Sequence, residues 1–253
     1  MKIAVSGKGG VGKTTFSALL IRILNEKGKN VLAVDADPDA NLAAAIGIAD
    51  SDKVKPISEM KDLIYERTEA KPGTTGGFFK LNPKVDDIPD TLSSKYENIK
   101  LIRLGGVKKG GGGCLCPAST LLRALITYIV LSRDDVVVMD MEAGIEHLGR
   151  ATAGSVNKLV VVVEPGRRSI ETANNIKRLA SEIGLKNIGI VGNKIRSKKD
   201  EEFLKENLSD FSFLGFLPFD ETLMEADLDG ISPFDMDTPS KGIINNIILK
   251  LYE

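Results

Sequence analysis

Cysteine is scarce in this sequence, and so is histidine. Only two cysteines occur, Cys114 and Cys116, with one residue between them, and His147 is the single histidine. Two cysteines cannot build the disulfide framework that stabilises small secreted domains, and a reducing compartment would keep both as thiols. We therefore expect no disulfide-stabilised fold.

The sequence also lacks an excess of either charge and any long apolar run. Its 34 basic and 35 acidic side chains leave a formal charge of -1, which gives no reason to expect nucleic acid or an anionic membrane as partner. No segment approaches the roughly 18 apolar residues that span a bilayer. The N-terminus runs directly into a glycine loop, without the apolar core of a signal peptide. We expect a cytoplasmic protein with no membrane and no nucleic acid partner.

Short apolar runs alternate with helical patterns along most of the 253 residues. Seven runs have the length of strands: 3–6, 31–34, 99–104, 136–139, 159–163, 188–191 and 213–217. Helical periodicity marks residues 121–131 and the final stripe of Ile243, Ile244, Ile247, Ile248 and Leu251. Runs that are apolar on both faces are typical of parallel strands covered by two layers of helices. The pattern predicts a single α/β domain, an open and mostly parallel twisted sheet with helices on both faces.

Two stretches interrupt this alternation. Residues 49–98 are polar and contain several glycines and prolines, which predicts an insertion or lid within the domain 1–253; a variable surface loop is the alternative. Residues 105–113 are rich in glycine and lead directly into Cys114.

One segment carries a complete phosphate-binding motif. Residues 7–14 read Gly-Lys-Gly-Gly-Val-Gly-Lys-Thr, matching G-x-x-x-x-G-K-[ST] between a predicted strand and a predicted helix. Glycines let backbone N–H groups converge on phosphate oxygens at the positive end of a helix. Lys13 is expected to contact the β and γ phosphates of ATP, and the Thr14 hydroxyl to bind Mg²⁺. The predicted nucleotide contacts are Gly9, Gly10, Val11, Gly12, Lys13, Thr14 and Thr15.

A second lysine, Lys8, makes this loop more specific. With it the loop resembles the deviant Walker A signature K-G-G-x-G-K-[ST] of the P-loop family that contains the MinD and ParA partition ATPases, the arsenite-pump ATPase and the nitrogenase iron protein. The resemblance implies an ATP-dependent homodimer in which Lys8 reaches the partner's nucleotide. A solvated loop lysine is the alternative.

Carboxylates follow two of the predicted strands. The segment Asp35-Ala36-Asp37-Pro38-Asp39 resembles the D-x-D-P switch of this family, which implies that Asp37 positions or activates the attacking water. Phosphoryl transfer requires mainly positioning and charge neutralisation, so one such carboxylate with Mg²⁺ suffices. Capping of a helix that starts near Asp39 is the alternative for one of the three aspartates. Asp140 closes the run 136–139, an arrangement of the Walker B type, and is expected to hold Mg²⁺.

The end of a later strand is expected to contact the base. Relatives in this family place an asparagine against the purine at the position of Asn193. Guanine-selective sites carry N-K-x-D, whereas the fourth residue here is Arg196. We therefore expect ATP rather than GTP; a turn role at the strand end is the alternative for Asn193.

Cys114-Leu115-Cys116 separates the glycine-rich stretch from the helix predicted after Pro117. Soft thiolates suit Ni, Zn, Cu(I) or an iron–sulfur cluster, but two cannot complete the four sulfur positions of a stable site. Two chains across a two-fold axis supply four. The alternative is that both cysteines are small buried apolar side chains. His147 is expected to be structural rather than a ligand.

The combined motifs resemble the CooC-type ATPases, which deliver nickel to carbon monoxide dehydrogenase during its maturation. K-G-G-V-G-K-T-T, D-A-D-P-D-A-N-L, C-L-C-P and D-M-E-A-G-I-E-H carry the resemblance over nearly the full chain. It implies a homodimeric ATPase that binds Ni²⁺, or alternatively Zn²⁺, through Cys114 and Cys116 and passes it to apo carbon monoxide dehydrogenase. A partition ATPase acting on a membrane or DNA, and a carrier of a bridging iron–sulfur cluster, remain as other interpretations.

Overall fold

Strands and helices alternate along the chain. The computed structural model describes residues 1–39, 41–70, 79–106, 116–145 and 147–252. The strands in these residues are β1 (Lys2–Ser6), β2 (Val31–Ala36), β3 (Ser94–Tyr96), β4 (Ile99–Arg103), β5 (Val136–Met141), β6 (Lys158–Val163), β7 (Ile188–Ile195) and β8 (Ser212–Pro218). The helices are α1 (Lys13–Glu26), α2 (Leu42–Ile46), α3 (Lys61–Thr68), α4 (Ile88–Thr91), α5 (Pro117–Ser132), α6 (Arg150–Ala153), α7 (Arg167–Ile183), α8 (Lys198–Asn207), α9 (Glu221–Asp229) and α10 (Ser240–Leu251).

The described strands form one sheet in the order β3-β4-β2-β5-β1-β6-β7-β8. Neighbouring strands are parallel except for β3 and β4, which are antiparallel. Because β1 lies between β5 and β6, the carboxyl ends of these three strands meet in the centre of one sheet edge. In open α/β sheets the ligand binds at such a crevice.

Each face of the sheet has its own apolar core. Val137 and Met139 of β5 pack in the core that contains α5 and α7, whereas Val138 packs in the core that contains α1 and α10. Both faces are covered by helices, so the central strands are apolar at successive positions. The fold class predicted from the sequence is therefore confirmed.

The seven predicted strands are present, with their ends displaced by a few residues. The helix predicted at 121–131 lies within α5, and the final stripe forms α10, with Ile244, Ile247, Ile248 and Leu251 buried. Strand β3 was not predicted, because its three residues Ser94–Tyr96 are too few and too polar to show a periodicity.

The segment 49–98, predicted as an insertion or lid, is packed on the domain in its described part. It contains α3, α4, β3 and the 3-10 helices Ser51–Lys53 and Ile57–Glu59. Helix α3 packs against α5, and Arg67 donates to both carboxylate oxygens of Asp87, at 3.0 and 2.7 Å. A role as insertion or lid stays a prediction. None of the helices in the described ranges is long and apolar enough to cross a membrane.

Candidate functional site

The loop between β1 and α1 has the backbone form of a phosphate site. Gly7 and Gly12 have φ angles of 148° and 90°, a region that side chains disfavour. A Cβ atom at Gly7 would lie 2.3 Å from the carbonyl oxygen of Val162, because β6 packs directly against the start of the loop. Glycine is therefore needed here for close approach as well as for curvature.

The loop leads into a buried lysine at the start of α1. Lys13 is 6% exposed, and its Nζ lies 3.8 Å from Asp37 Oδ2. The other predicted contacts range from exposed to buried: Gly9 and Gly10 are exposed, Thr15 is half-buried and Val11 is buried. A lysine ammonium at a helix N-terminus suits the β and γ phosphates of a nucleotide.

Thr14, Ser17 and Asp140 form a hydrogen-bonded group beside the phosphate loop. Thr14 Oγ1 donates to Asp140 Oδ2 at 2.7 Å, and Ser17 Oγ donates to Asp140 Oδ1 at 3.1 Å. Asp140 is fully buried in β5, next to β1 in the sheet. Hydroxyl and carboxylate oxygens are the ligands that Mg²⁺ prefers, so Thr14 and Asp140 fit the expected ion.

The three aspartates after β2 lie in different environments. The Asp37 side chain is 22% exposed, and its Oδ1 accepts the backbone N–H of Asp39 at 3.1 Å. Asp35 is buried, and its Oδ2 accepts the N–H of Leu42, the first residue of α2, at 3.2 Å. Asp35 thus stabilises the start of a helix, the role left open for one aspartate, whereas Asp37 faces Lys13 and the phosphate loop.

Two buried carboxylates lie side by side in this site. Asp35 and Asp140 are register partners in β2 and β5. Burial, together with the charge of Asp140, raises the pKa of Asp35 to about 7. Burial also raises the pKa of Asp140 to about 6, although hydrogen bonds from Thr14 and Ser17 and the charge of Lys13 favour its ionised form. Simultaneous ionisation of the Asp35 and Asp140 carboxylates is therefore disfavoured.

We expect the nucleotide-free protein to be less stable at pH 8 than at about pH 5, in part because of Asp35. The folded state keeps the proton of Asp35 up to about pH 7, whereas an unfolded chain releases it near 3.8. The folded state thus binds more protons in this window, so the free energy of unfolding falls as pH rises. Between about pH 5 and pH 8, the free energy of unfolding should fall by up to a few kcal/mol less in Asp35→Asn than in wild type.

Urea unfolding at the two pH values measures the effect. Asp39→Asn is the matched control, because Asp39 is exposed in the loop that follows β2. A pH dependence equally steep in wild type and Asp35→Asn would contradict the assignment.

Lys8 forms an ion pair within its own chain. Its Nζ lies 3.0 Å from Oε1 of Glu164, the residue after β6. Lys194 Nζ donates to the carbonyl oxygen of Gly10 at 2.6 Å and lies 3.5 Å from Glu164 Oε2. The Lys8 and Glu164 side chains are 34% and 25% exposed, so their pair is worth about 0–1 kcal/mol. Glu164 and Lys194 were not predicted as site residues, because they join the site only through the order of β6 and β7 beside β1.

Asn193 contacts the phosphate loop. Its Nδ2 donates to the carbonyl oxygen of Val11 at 2.7 Å, and a Cβ atom at Gly12 would lie 2.4 Å from that nitrogen. The side chain therefore joins β7 to the loop. Its contact with a purine stays a prediction.

Cys116 lies at the start of α5. Its Sγ accepts the backbone N–H of Ser119 at 3.4 Å and lies 3.1 Å from Ser119 Oγ. Cys116 therefore caps the first turn of α5, where backbone N–H groups have no partner within the helix. Cys114 lies outside the described residues, so the structure gives the position of only one of the two predicted thiolate ligands, Cys116.

The loop that follows β5 is joined to two other strands. Ser6 Oγ, at the end of β1, lies 2.9 Å from the carbonyl oxygen of Glu142 and 2.8 Å from that of Gly144. His147 Nε2 lies 3.0 Å from the carbonyl oxygen of Ala36, at the end of β2. His147 therefore contacts the segment that carries Asp37, and its assignment as structural rather than as a metal ligand stays a prediction.

Known proteins resemble this chain in sequence over its whole length. A family model described as the CobQ/CobB/MinD/ParA nucleotide binding domain matches residues 2–234. The carbon monoxide dehydrogenase accessory protein CooC of Rhodospirillum rubrum is 45% identical over 255 residues, which cover 100% of this chain and 97% of that protein. An uncharacterized ATP-binding protein of Methanocaldococcus jannaschii is 44% identical over 257 residues, which cover 99% and 98%.

Solved structures agree on the fold. The MinD cell division protein of Aquifex aeolicus has a TM-score of 0.68 at 21% identity, with 100% of this chain and 98% of that chain covered. MinD of Pyrococcus horikoshii, complexed with Mg-ADP, has a TM-score of 0.68 at 22% identity, with 98% and 94% covered. At this identity the likeness concerns the fold alone. The family match and the full-length relatives go further: the chain belongs to the CobQ/CobB/MinD/ParA nucleotide-binding family and is a P-loop ATPase of the CooC type.

Proposed function

We propose that this ATPase is a homodimeric metallochaperone that binds Ni²⁺ through Cys114 and Cys116 and inserts it into apo carbon monoxide dehydrogenase. The observation that carries the proposal is the 45% identity, over the whole chain, with a protein named as a carbon monoxide dehydrogenase accessory protein. Cys116 is a free and partly exposed thiol at the start of α5 rather than a buried apolar side chain, which supports a metal-binding role.

Hydrolysis of ATP drives the proposed cycle. Lys13 would contact the transferred phosphoryl group, and Thr14 and Asp140 would hold Mg²⁺, which would offset the phosphate charge. Asp37 directs a water molecule at the γ phosphorus. As the new P–O bond forms, the bond to the bridging oxygen breaks, and ADP and inorganic phosphate are released.

Pairing of two chains completes the proposed metal site. Cys114 and Cys116 of two copies supply four thiolates, the number that a tetrahedral site requires. In the pair, Lys8 leaves Glu164 and reaches the partner's nucleotide. Because the Lys8–Glu164 ion pair is partly exposed and weak, breaking it costs little free energy. Because ATP and metal favour the same paired state, each should tighten binding of the other by the same factor.

Metal stoichiometry tests this function directly. Equilibrium dialysis with Ni²⁺ and, separately, Zn²⁺ is run with ADP and with a non-hydrolysable ATP analogue, while light scattering gives the molar mass. We expect about one metal ion per two chains with the analogue. Cys114→Ser/Cys116→Ser should bind none, and because serine can still accept the N–H of Ser119, the loss reports the thiolates rather than the helix start.

Three control outcomes separate the parts of the proposal. Equal metal binding by wild type and the double serine variant would place the site elsewhere. No binding with either nucleotide would reject a metal carrier and direct attention to a membrane, DNA or protein partner. The Lys8→Ala variant should bind ATP and yet stay monomeric in the presence of the non-hydrolysable analogue.

Transfer to the client is a separate measurement. It is followed as the activity that nickel-loaded protein restores to apo carbon monoxide dehydrogenase.

A further inference from the structure

His147 connects two loops of the nucleotide site that are far apart in sequence. Its Nε2 lies 3.0 Å from the carbonyl oxygen of Ala36, 111 residues away. Ala36 is the last residue of β2, and Asp37 follows it directly. A contact at this carbonyl therefore acts on the backbone that carries Asp37.

The chemistry of the contact fixes its direction. A carbonyl oxygen can only accept, so Nε2 must carry a hydrogen and donate it. The imidazolium ion and one neutral tautomer both meet this requirement. The other neutral tautomer would place a lone pair against the carbonyl oxygen and is disfavoured.

The other end of the same loop is also fixed. The Ser6 hydroxyl is buried between the carbonyl oxygens of Glu142 and Gly144, and it donates its single hydrogen to one of them at a time. Ser6 immediately precedes Gly7, and the loop itself follows the magnesium carboxylate Asp140. The loop is thus attached at its start to the phosphate loop and at His147 to the Asp37 segment.

The Asp37 side chain makes few contacts of its own, although the backbone of Ala36 is also paired with Met141 of β5. The Asp37 side chain is partly exposed, accepts one backbone N–H from Asp39, and lies 3.8 Å from Lys13 Nζ, beyond hydrogen-bond distance. A displacement of about 1 Å in a group that orients a nucleophile can lower a rate about 100-fold. A shift of the backbone at Ala36 would displace Asp37 and is therefore expected to lower the rate of ATP hydrolysis.

We propose that His147 is a positioning residue for ATP hydrolysis: by donating from Nε2 to the Ala36 carbonyl oxygen, it holds Asp37 in register with the loop that follows Asp140. The inference rests on the role proposed for Asp37. It assigns the chain's only histidine to the ATPase reaction rather than to the metal site.

Two amide substitutions test the inference. The side-chain nitrogen of glutamine can replace Nε2, whereas that of asparagine corresponds to Nδ1 and falls short of the carbonyl oxygen. We expect His147→Asn to lower kcat about tenfold with little change in the KM for ATP, and His147→Gln to restore most of the loss. Phosphate release gives kcat and KM, and urea unfolding reports stability in parallel.

A purely structural contact would give a different result. Lower stability with unchanged kcat, or equal losses of kcat in the asparagine and glutamine variants, would overturn the inference. So would a rise in KM at constant kcat, which indicates a loss of uniform nucleotide binding.

A double-mutant cycle separates this inference from the role of Asp37. If His147 acts through Asp37, His147→Asn should lower kcat no further in an Asp37→Asn background. Additive losses would show that His147 acts by another route and would overturn the inference while leaving the role of Asp37 intact. Full activity of Asp37→Asn would overturn both.

Discussion

Asp37→Asn is expected to lower kcat about 100-fold or more while ATP still binds. Asparagine keeps the size of the side chain and an oxygen that can accept the N–H of Asp39, but it removes the negative charge that we propose orients or deprotonates the attacking water. Lys13, Thr14 and Asp140 are unchanged, so the nucleotide and Mg²⁺ should still be held. Phosphate release measures kcat, and a fluorescent ATP analogue measures binding.

Asp39→Asn is the matched control for this prediction. Asp39 lies two residues further along the same loop and is exposed, so its replacement should leave kcat within about twofold. If Asp37→Asn retained wild-type kcat, another group would have to direct the water. If it lost ATP binding instead, its role would lie in holding Lys13 rather than in hydrolysis.

Gly7→Ala is expected to destabilise the fold by about 3 kcal/mol or more and to abolish ATP binding. The φ angle of 148° is unfavourable for alanine, and the added Cβ would lie 2.3 Å from the carbonyl oxygen of Val162. That oxygen belongs to the backbone of β6, which is held between β1 and β7 and cannot rotate away as a side chain could. Urea unfolding and nucleotide binding measure the two effects.

Gly9→Ala is the comparison within the same motif. Among the described residues other than Lys8 and Gly10, no atom lies within 4 Å of a Cβ atom at Gly9, and its φ angle is outside the left-handed region. Its stability should therefore stay within about 0.5 kcal/mol of wild type. Equal losses in the two variants would mean that the motif responds to any methyl group, and that close packing of β6 is not the cause.

The central sheet and the phosphate loop could be predicted from the sequence because their signals are local. Residues 7–14 form one contiguous motif, and runs such as β5 and β6 are apolar at successive positions whichever strands lie beside them. The edge strand β3 has neither property, and only its pairing with β4 makes it a strand.

Contacts between distant segments could not be predicted in the same way. Lys8 and Glu164 are 156 residues apart, and they meet because β6 lies next to β1. The contact of His147 with Ala36 likewise requires the order β2-β5-β1. The segment Asp35-Ala36-Asp37 also gives no sign that its first carboxylate lies buried beside Asp140, since that depends on the register of β2 with β5.

The two outermost strands bear on how copies of this chain can associate. Exposed strand edges are sites of uncontrolled aggregation, which short strands, lysines and bulges suppress. β3 has three residues with an exposed lysine at its centre. β8 pairs with β7 through register irregularities, ends in Pro218, and has the carbonyl oxygen of Leu214 bound by Lys250 Nζ at 2.7 Å. Continuous strand addition is therefore disfavoured at both ends of the sheet. Copies of this chain that associate as proposed would therefore meet through side-chain surfaces, which favours a closed pair over open-ended strand pairing.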